Sequence, residues 1–206
     1  ADIDTARVTH SAIAMNNSWG YNDSCQIISG QNVCFSSVTW AELLSDANAA
    51  GRNIRQELNA SGKTVFNSHT SAFITALDNF QNSGVIVFAS GNFANDTDVS
   101  MMAALPSYFN GTDDSVDLSD AWLSVMYADF VGSSISSTSD VQRKGNPCGA
   151  AKEWCLVVDD HRIKAAGFID SSGNSQYGTI SGSSMGAPQV SGMIALLGQA
   201  FPSHTP

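Results

Sequence analysis

The sequence has 206 residues, of which 43% are hydrophobic and 14% charged, and its formal net charge is -10. This composition is typical of one globular domain with an apolar core, and it excludes an intrinsically disordered chain. Because no basic stripe is available to neutralise phosphates, we expect no nucleic-acid partner. The apolar runs fall short of the ~20 residues of a membrane span, and residues 1–20 lack the plan of a signal peptide, so we expect no membrane contact from this segment.

The first half of the chain predicts one strand and several helices. Residues 8–15 are rich in strand-forming residues and run into a turn-prone stretch, which predicts a strand followed by a loop. Apolar positions at helical spacing across residues 35–60, broken near Gly51, predict one or two helices in a peripheral insertion. Another apolar helical face begins at Ser71, and Ser83-Gly84 is expected to end it.

The second half alternates apolar runs with polar segments. Three apolar runs predict strands, at 85–90, 122–130 and 154–160. The continuous, β-branched run at 85–90 is typical of a strand buried on both faces, as in a parallel sheet covered by helices. Polar, turn-rich sequence occupies 95–120 and 167–178.

The last predicted element is a helix from about Ser184 to Ala200. Its apolar positions recur three or four residues apart, and Pro188 falls in the first turn, where a missing N–H is harmless. Helices and strands therefore alternate along the chain. This order favours an α/β fold with a largely parallel sheet.

The four cysteines fall into two close pairs, Cys25 with Cys34 and Cys148 with Cys155. No His-Cys spacing near either pair suggests zinc. Three connectivities are possible from sequence alone, but pairing within each cluster closes the smallest loops. We therefore predict two short-range disulfides, which implies an oxidising compartment.

A serine at the start of the last helix is the strongest candidate for chemistry. Ser184 could simply cap the helix, which is the ordinary use of such a serine. It could also act as a nucleophile, because the unpaired N–H groups and positive dipole end of a helix N-terminus help to hold a developing oxyanion. Gly182 and Gly186 would then let backbone and substrate approach closely.

The segment GSSMG also matches G-x-S-x-G, the nucleophile elbow of α/β-hydrolase esterases. That elbow needs a buried strand running into the serine, yet the preceding sequence is polar and broken by glycines. It also needs an acid and then a histidine downstream, whereas only His204 follows Ser184. An esterase is therefore the less favoured hypothesis.

Residues 182–192, GSSMGAPQVSG, resemble the nucleophile motif of the subtilisin-like serine proteases of peptidase family S8, G-T-S-M-A-A-P-H-V-A-G. The matching positions are Gly182, Ser184, Met185, Ala187, Pro188, Val190 and Gly192. Gly186, Gln189 and Ser191 depart from the family pattern. The resemblance implies that Ser184 is the nucleophile of a serine endopeptidase, in a three-layer α/β fold whose sheet is flanked by helices.

A second resemblance lies in VIVFASGN, residues 85–92, which is similar to the family's strand ending in Ala-Gly-Asn. It implies that the Asn92 side chain supplies an oxyanion-hole donor. It also implies that Ser90 and Gly91 form part of the wall of the first specificity pocket. Without the family, the same residues are typical of an ordinary strand-ending turn.

A third resemblance lies in MNNSWG, residues 15–20, which is similar to the family's N-x-S-x-G strand. In the family this strand pairs by its backbone with the substrate segment before the scissile bond. The resemblance implies that Ser18, Trp19 and Gly20 form a binding edge for a polypeptide substrate. An edge strand and turn with a packed Trp is the structural alternative, and it is compatible with the same geometry.

The family's Asp motif (Asp-Ser/Thr-Gly) and His motif (His-Gly-Thr-His) are absent from the sequence. His10, His69 and His161 stand in other contexts and are interpreted as surface or structural residues. We therefore expect the triad Asp and His upstream of residue 1, in a missing remainder of the protease domain. Residues 1–206 would then be a partial domain, its C-terminal part, incomplete at both ends and inactive alone. A nicked enzyme and a non-catalytic binding or structural module remain alternatives.

The segment NPCGAAKEWC, residues 146–155, and the earlier cysteine loop are similar to the subtilisin-like passenger domains of bacterial autotransporters. This resemblance implies a secreted or cell-surface protein, consistent with disulfides. We expect no cofactor. Calcium sites recur in the family, and Asp113-Asp114 could contribute to one, but solvated loop charge is the preferred interpretation.

Overall fold

A computed structural model describes residues 3–60, 70–132 and 134–203. The α-helices of this part are α1 Ile3–His10, α2 Trp40–Ala49, α3 Ile54–Ala60, α4 Thr70–Gln81 and α5 Ser183–Ala200. The strands are β1 Ala14–Asn17, β2 Asn22–Ile28, β3 Gln31–Ser37, β4 Val85–Ala89, β5 Trp122–Phe130, β6 Val141–Arg143, β7 Cys155–Asp159, β8 Ile163–Ile169 and β9 Ser175–Ile180. Shorter 3₁₀ helices span Met101–Ser107, Thr138–Asp140 and Gly149–Trp154.

The main sheet is largely parallel, as the alternation of helices and strands predicted. Strands β1, β4, β5 and β7 run parallel in that spatial order, and β6 pairs antiparallel with the end of β5. Strand β1 lies at one edge, where Asn17 is in register with Phe88 of β4. Two separate antiparallel hairpins, β2–β3 and β8–β9, lie outside this sheet.

Helices cover both faces of the sheet, because β4 is apolar on both sides. Ile86 and Phe88 belong to a core that includes Leu77 of α4, whereas Val87 belongs to a second core with Val190 of α5. Successive side chains of a strand point to opposite faces, so one apolar run serves two helix layers. The chain therefore has the three-layer α/β architecture that the resemblance implied.

Helices α2 and α3 confirm the prediction of one or two helices with a break near Gly51, which has a positive φ of 64°. Their placement in a peripheral insertion was wrong. Trp40 and Leu43 of α2 and Leu58 of α3 are buried in the same core as the α4 side of the sheet. Helical periodicity shows which face is apolar, but it does not show which partner covers that face.

Two other segments differ from the predictions. Within 8–15 a strand was expected, yet α1 extends to His10 and β1 begins only at Ala14. Helix α1 packs on α4, so tertiary contact overrides the strand preference of Val and Thr. Within the polar stretch 95–120, the apolar run at the start of the Met101–Ser107 helix is fully buried, because α2, β4 and β5 pack around it.

The segment 167–178 was predicted as turns, and only its centre is one. Residues on both sides pair as the antiparallel strands β8 and β9. The turn between them is held by the Asp170 carboxylate, which accepts the N–H groups of Ser172 and Asn174, both at 2.9 Å. An Asp that bonds to backbone two residues on is a common way to close such a turn.

Both predicted disulfides are present. Cys25 and Cys34 stand directly opposite each other in the β2–β3 hairpin, and their bond closes it. Cys148 is bonded to Cys155, the first residue of β7. Each bond is local, as the spacing indicated, and such bonds form in oxidising compartments. Within the three described ranges, the helices are too short or too polar to cross a bilayer.

Candidate active site

The parallel pairing of β1 with β4 brings two loops to the same sheet edge. Residues 18–20 follow β1 and residues 90–92 follow β4, and α5 begins beside them. Together they border a cleft of about 240 Å³. The predicted site residues that line this cleft are Ser18, Trp19, Gly20, Gly91, Asn92 and Ser184.

Ser184 is the second residue of α5 and is half-buried. Its Oγ donates to the backbone carbonyl of Ser18 at 3.2 Å, and the Ser18 Oγ donates to the Ser184 carbonyl at 3.0 Å. The Ser184 N–H lies in the first turn, where no intrahelical acceptor is available. Ser184 therefore brings to the cleft both a hydroxyl and a backbone N–H that has no partner among the described residues.

Asn92 is tied to the residue before Ser184. Its Oδ1 accepts the Ser183 N–H at 2.8 Å and the Ser183 hydroxyl at 2.9 Å. A side chain at Gly182, which has φ 139°, would place its Cβ 2.9 Å from the same oxygen, so only glycine permits this approach. The Nδ2 group makes no hydrogen bond with the described residues, which leaves it available to a ligand in the cleft.

Ser183 belongs to the site, although no role was predicted for it from the sequence. It is fully buried, donates to Asn92, and its Oγ accepts the Gly91 N–H at 3.2 Å. It therefore joins the loop after β4 to the first turn of α5. A hydroxyl directly before the candidate nucleophile was the only available signal.

Ser90 and Trp19 occupy different depths. Ser90 is fully buried behind the cleft, where its N–H donates to the Val125 carbonyl at 2.9 Å, and it does not line the cleft itself. Trp19 is 40% exposed, and its ring lies edge-on to Phe88 with centroids 5.6 Å apart. Trp19 is thus both a packed aromatic and part of the cleft wall.

Asn146 holds the loop that follows Asn92, a role that was not predicted from the sequence. It is fully buried, and its Nδ2 donates to Asp96 Oδ2 at 2.8 Å and to the Asp98 carbonyl at 2.9 Å. Its Oδ1 accepts the Phe93 N–H at 3.0 Å. These partners lie 48 to 53 residues away in sequence, so no local pattern reveals them.

The described histidines stand away from the cleft. His10 was predicted to lie in a strand, but it is the last residue of α1. His161 Nδ1 lies 2.8 Å from the Tyr127 hydroxyl, and its Nε2 lies 3.9 Å from Asp129. Within the described ranges, no histidine lines the cleft. His69 and His204, and with His204 the geometry that an esterase would need, lie outside the described residues.

Each carboxylate of the acidic pair Asp113-Asp114 has a hydrogen-bond partner in the protein. Arg55 donates to both oxygens of Asp114, at 2.7 and 2.8 Å. This guanidinium lowers the pKa of the Asp114 carboxyl and so keeps it charged. Asp113 accepts the Asn110 side-chain amide at 3.0 Å. The described residues contain no cluster of three or more acidic, His or Cys side chains of the kind that holds a metal ion.

A model of the subtilase family, Peptidase_S8, matches residues 3–206. The chain belongs to the subtilase family. This result confirms the family that the Ser184 motif indicated, and membership supports a protease function. Comparison of the subtilase sequence with curated proteins finds no significant match.

One solved structure shows the same fold. The prenylagaramide maturation protease PagA matches with a TM-score of 0.51 and 16% identity, over 97% of this chain and 48% of that one. The patellamide maturation protease PatG matches with a TM-score of 0.43 and 17% identity, over 66% and 35%. A subtilase cytotoxin SubAB structure matches with a TM-score of 0.44 and 18% identity, over 71% and 44%. The chain thus spans about half the length of PagA.

The buried amide of Asn146 should be needed to hold the cleft loop of this subtilase. We expect Asn146→Ala to lower the free energy of unfolding by about 2–4 kcal/mol, because several partly buried polar groups lose their partner. Urea denaturation measures this change. Asn95→Ala, an exposed position in the same loop, is the matched control and should cost under ~0.5 kcal/mol. Equal losses in the two variants would contradict the role of Asn146.

Proposed function

We propose that this subtilase chain supplies the nucleophile and the oxyanion hole of a serine endopeptidase. One observation carries the proposal: Ser184 and Asn92 line the same cleft, and the Asn92 Nδ2 group has no hydrogen-bond partner among the described residues. An attacking oxygen and a donor for the developing negative charge are the two groups that acyl transfer requires close together. The alternative is a subtilisin-fold module that binds without catalysis.

The reaction would proceed in two acyl transfers. Ser184 Oγ attacks the carbonyl carbon of a peptide bond and loses its proton to a base. The tetrahedral oxyanion accepts hydrogen bonds from the Ser184 N–H and from Asn92 Nδ2. Its collapse expels the amine, which takes up the proton, and leaves an acyl-enzyme that water hydrolyses in the same way. In the structure the Ser184 hydroxyl donates to the Ser18 carbonyl, so it must turn towards the base before it attacks.

The base and its orienting acid would come from the remainder of the protease domain, which would also be a binding partner of this chain. Two surfaces support packing of further polypeptide. Strand β1 is an edge of the sheet in the described residues, with backbone groups available for pairing. The outer face of α5 carries Met193, Leu196 and Leu197, and each of these side chains is more than half exposed. A contiguous exposed apolar patch is typical of a surface that contacts another polypeptide. We therefore expect the 206-residue chain alone to be inactive.

The substrate would be a polypeptide that lies along residues 18–20 as an added strand, with its carbonyl over Ser184. Backbone pairing of this kind binds a peptide regardless of most side chains. The two disulfides suggest an oxidising environment. A secreted or cell-surface protease acting on other proteins is consistent with both features.

A fluorophosphonate probe should label the full-length protein at Ser184. The probe reacts only with a serine whose hydroxyl is activated, so Ser184→Ala should abolish labelling. Ser191→Ala is the matched control, because this serine lies on the same helix and its hydroxyl only bonds to the Ala187 carbonyl. Intact-mass and peptide mass spectrometry locate the label. Absence of labelling would favour the binding module, and labelling with turnover of small esters but not peptides would favour an esterase.

The donor role of Asn92 can be separated from its structural role. In Asn92→Asp an oxygen still accepts from Ser183, but the N–H donor is gone. We expect this variant to keep the wild-type unfolding temperature and to lose about 100- to 1,000-fold in peptide turnover, a magnitude carried over from subtilisin itself. Turnover of the full-length protein on a fluorogenic peptide measures the loss. A loss below ~10-fold would remove Asn92 from the oxyanion hole.

The cleft also indicates which side chain it accepts before the scissile bond. Its lining contains several serines, including Ser37 and Ser100, and no charged residue. We infer a preference for a small, uncharged side chain, such as Ser or Asn, because the cleft is small and its lining is polar.

Peptide substrates that differ only at this position test the preference with the full-length protein. We expect Ser and Asn to exceed Leu, Phe and Arg by about 10-fold or more in kcat/KM. A preference for large or charged side chains would contradict this reading of the cleft.

A further inference from the structure

A buried carboxyl group lies directly beneath the first turn of α5. Asp160 follows β7 and is fully buried. Its carbonyl accepts the Gly182 N–H at 3.2 Å, and its Oδ1 accepts the Ala128 N–H at 2.9 Å. Its Oδ2 is buried and has no hydrogen-bond partner among the described residues. Burial of a carboxyl group with only one of its oxygens hydrogen-bonded costs folding free energy, so we expect a contact that explains it.

The free oxygen of Asp160 lies against Gly186 of α5. A Cβ built at Gly186 would lie 2.7 Å from Asp160 Oδ2 and 2.9 Å from Val125 Cγ1, closer than real Cβ atoms come. Gly186 is also a position where this chain departs from the subtilase motif, which has alanine there. The carboxyl group of Asp160 therefore occupies the space that an alanine methyl would need.

We propose that Asp160 and Gly186 form a matched pair in which Asp160 is the positioning residue for Ser184. Gly186 lies two residues beyond Ser184, in the same turn of the helix. The Asp160 carboxyl supports this turn from below, and its carbonyl holds Gly182 immediately before the helix. The height and rotation of the turn set where the Ser184 hydroxyl lies relative to Asn92. The inference rests on the proposed function.

The pair makes the helix start sensitive to pH. Burial raises the pKa of Asp160 to about 7, and the negative charge of Asp159 adds to this, while the Ala128 N–H acts in the opposite direction. Helix α5 carries no ionisable side chain, and from β5 the contacts are Val125 and Ala128. Beyond Asp159, the nearest titratable side chain along the chain is His161, which faces Tyr127 and Asp129.

The sign of the pH effect follows from the direction of this shift. The folded protein holds the Asp160 proton more tightly than the unfolded chain, whose Asp pKa is close to 3.8. The contribution of this group to stability is therefore greatest at acid pH. It falls as the pH rises from 3.8 towards about 7 and stays low above that range. Asp160→Asn keeps the shape without the charge, so it should remove this decline.

Four full-length proteins test the pair: wild type, Gly186→Ala, Asp160→Ala and the double variant. We expect Gly186→Ala to slow fluorophosphonate labelling of Ser184 by about 10- to 100-fold, because displacement of a nucleophile by about 1 Å lowers its reaction rate by that order. The double variant should recover to within ~3-fold of Asp160→Ala, since the methyl then fills the space left by the carboxyl. Gly192→Ala, whose Cβ meets nothing within 4 Å on the same helix, is the control and should leave the rate unchanged.

The pH profile separates positioning from simple packing. The ratio of the Asp160→Asn to the wild-type labelling rate should rise through about pH 7, and titration of a shared catalytic base cancels in this ratio. A flat ratio, a Gly186→Ala rate equal to wild type, or no recovery in the double variant would overturn the inference while leaving the proposed function intact.

If wild type is not labelled at all, the proposed function fails. The unfolding temperatures of the same four proteins then test whether Asp160 and Gly186 are in contact. A lower temperature in Gly186→Ala that the double variant restores supports the contact, and equal temperatures overturn it. If Gly186→Ala fails to fold for steric reasons, a folded double variant supports the contact between Asp160 and Gly186. A double variant that does not fold, although Asp160→Ala folds, overturns it.

Discussion

The parallel register of β1 with β4 is the constraint on which the cleft depends. With Asn17 opposite Phe88, the two strands end together, and the loops 18–20 and 90–92 lie side by side where α5 begins. A strand rises about 3.3 Å per residue, so a slip of two residues would move one loop by about 6.6 Å. The hydrogen bonds between Ser18 and Ser184, at 3.0 and 3.2 Å, could not survive a shift of that size in the loop after β1. Both apolar faces of β4 are covered by helices, and this burial on two sides opposes any slip.

The first turn of α5 meets three different demands within four residues. Ser183 points into the protein and bonds to Asn92, Ser184 faces the cleft, and Gly186 rests against Asp160. Successive helical residues point in different directions, so one turn can serve three surfaces at once. Glycine inside a helix costs about 1 kcal/mol relative to alanine. Its use at 186 is consistent with a contact that a methyl group would block.

Local sequence was a good guide where one physical signal dominates. The β-branched run at 85–90 and the apolar face from Ser71 gave correct elements, because burial on both faces and a 3.6-residue period leave clear marks. The buried 3₁₀ helix at 101–107 and the strands β8 and β9 were missed. The 3₁₀ helix stands in a polar stretch and is buried by contacts from distant segments. In 167–178 the polar turn dominates the composition, although the strands on its two sides pair with each other.

The amino-acid sequence by itself determined the subtilase family, the two disulfides, the α/β order of elements and the candidate residues Ser184 and Asn92, because each depends on neighbours within a dozen positions. Only the tertiary structure decided that these two residues share a cleft, that Asn146 holds one of its loops, and that Asp160 lies beneath Gly186. The physical reason is range. Hydrogen bonds and steric exclusion act over a few ångströms in space, whereas these partners are 26 to 92 residues apart along the chain.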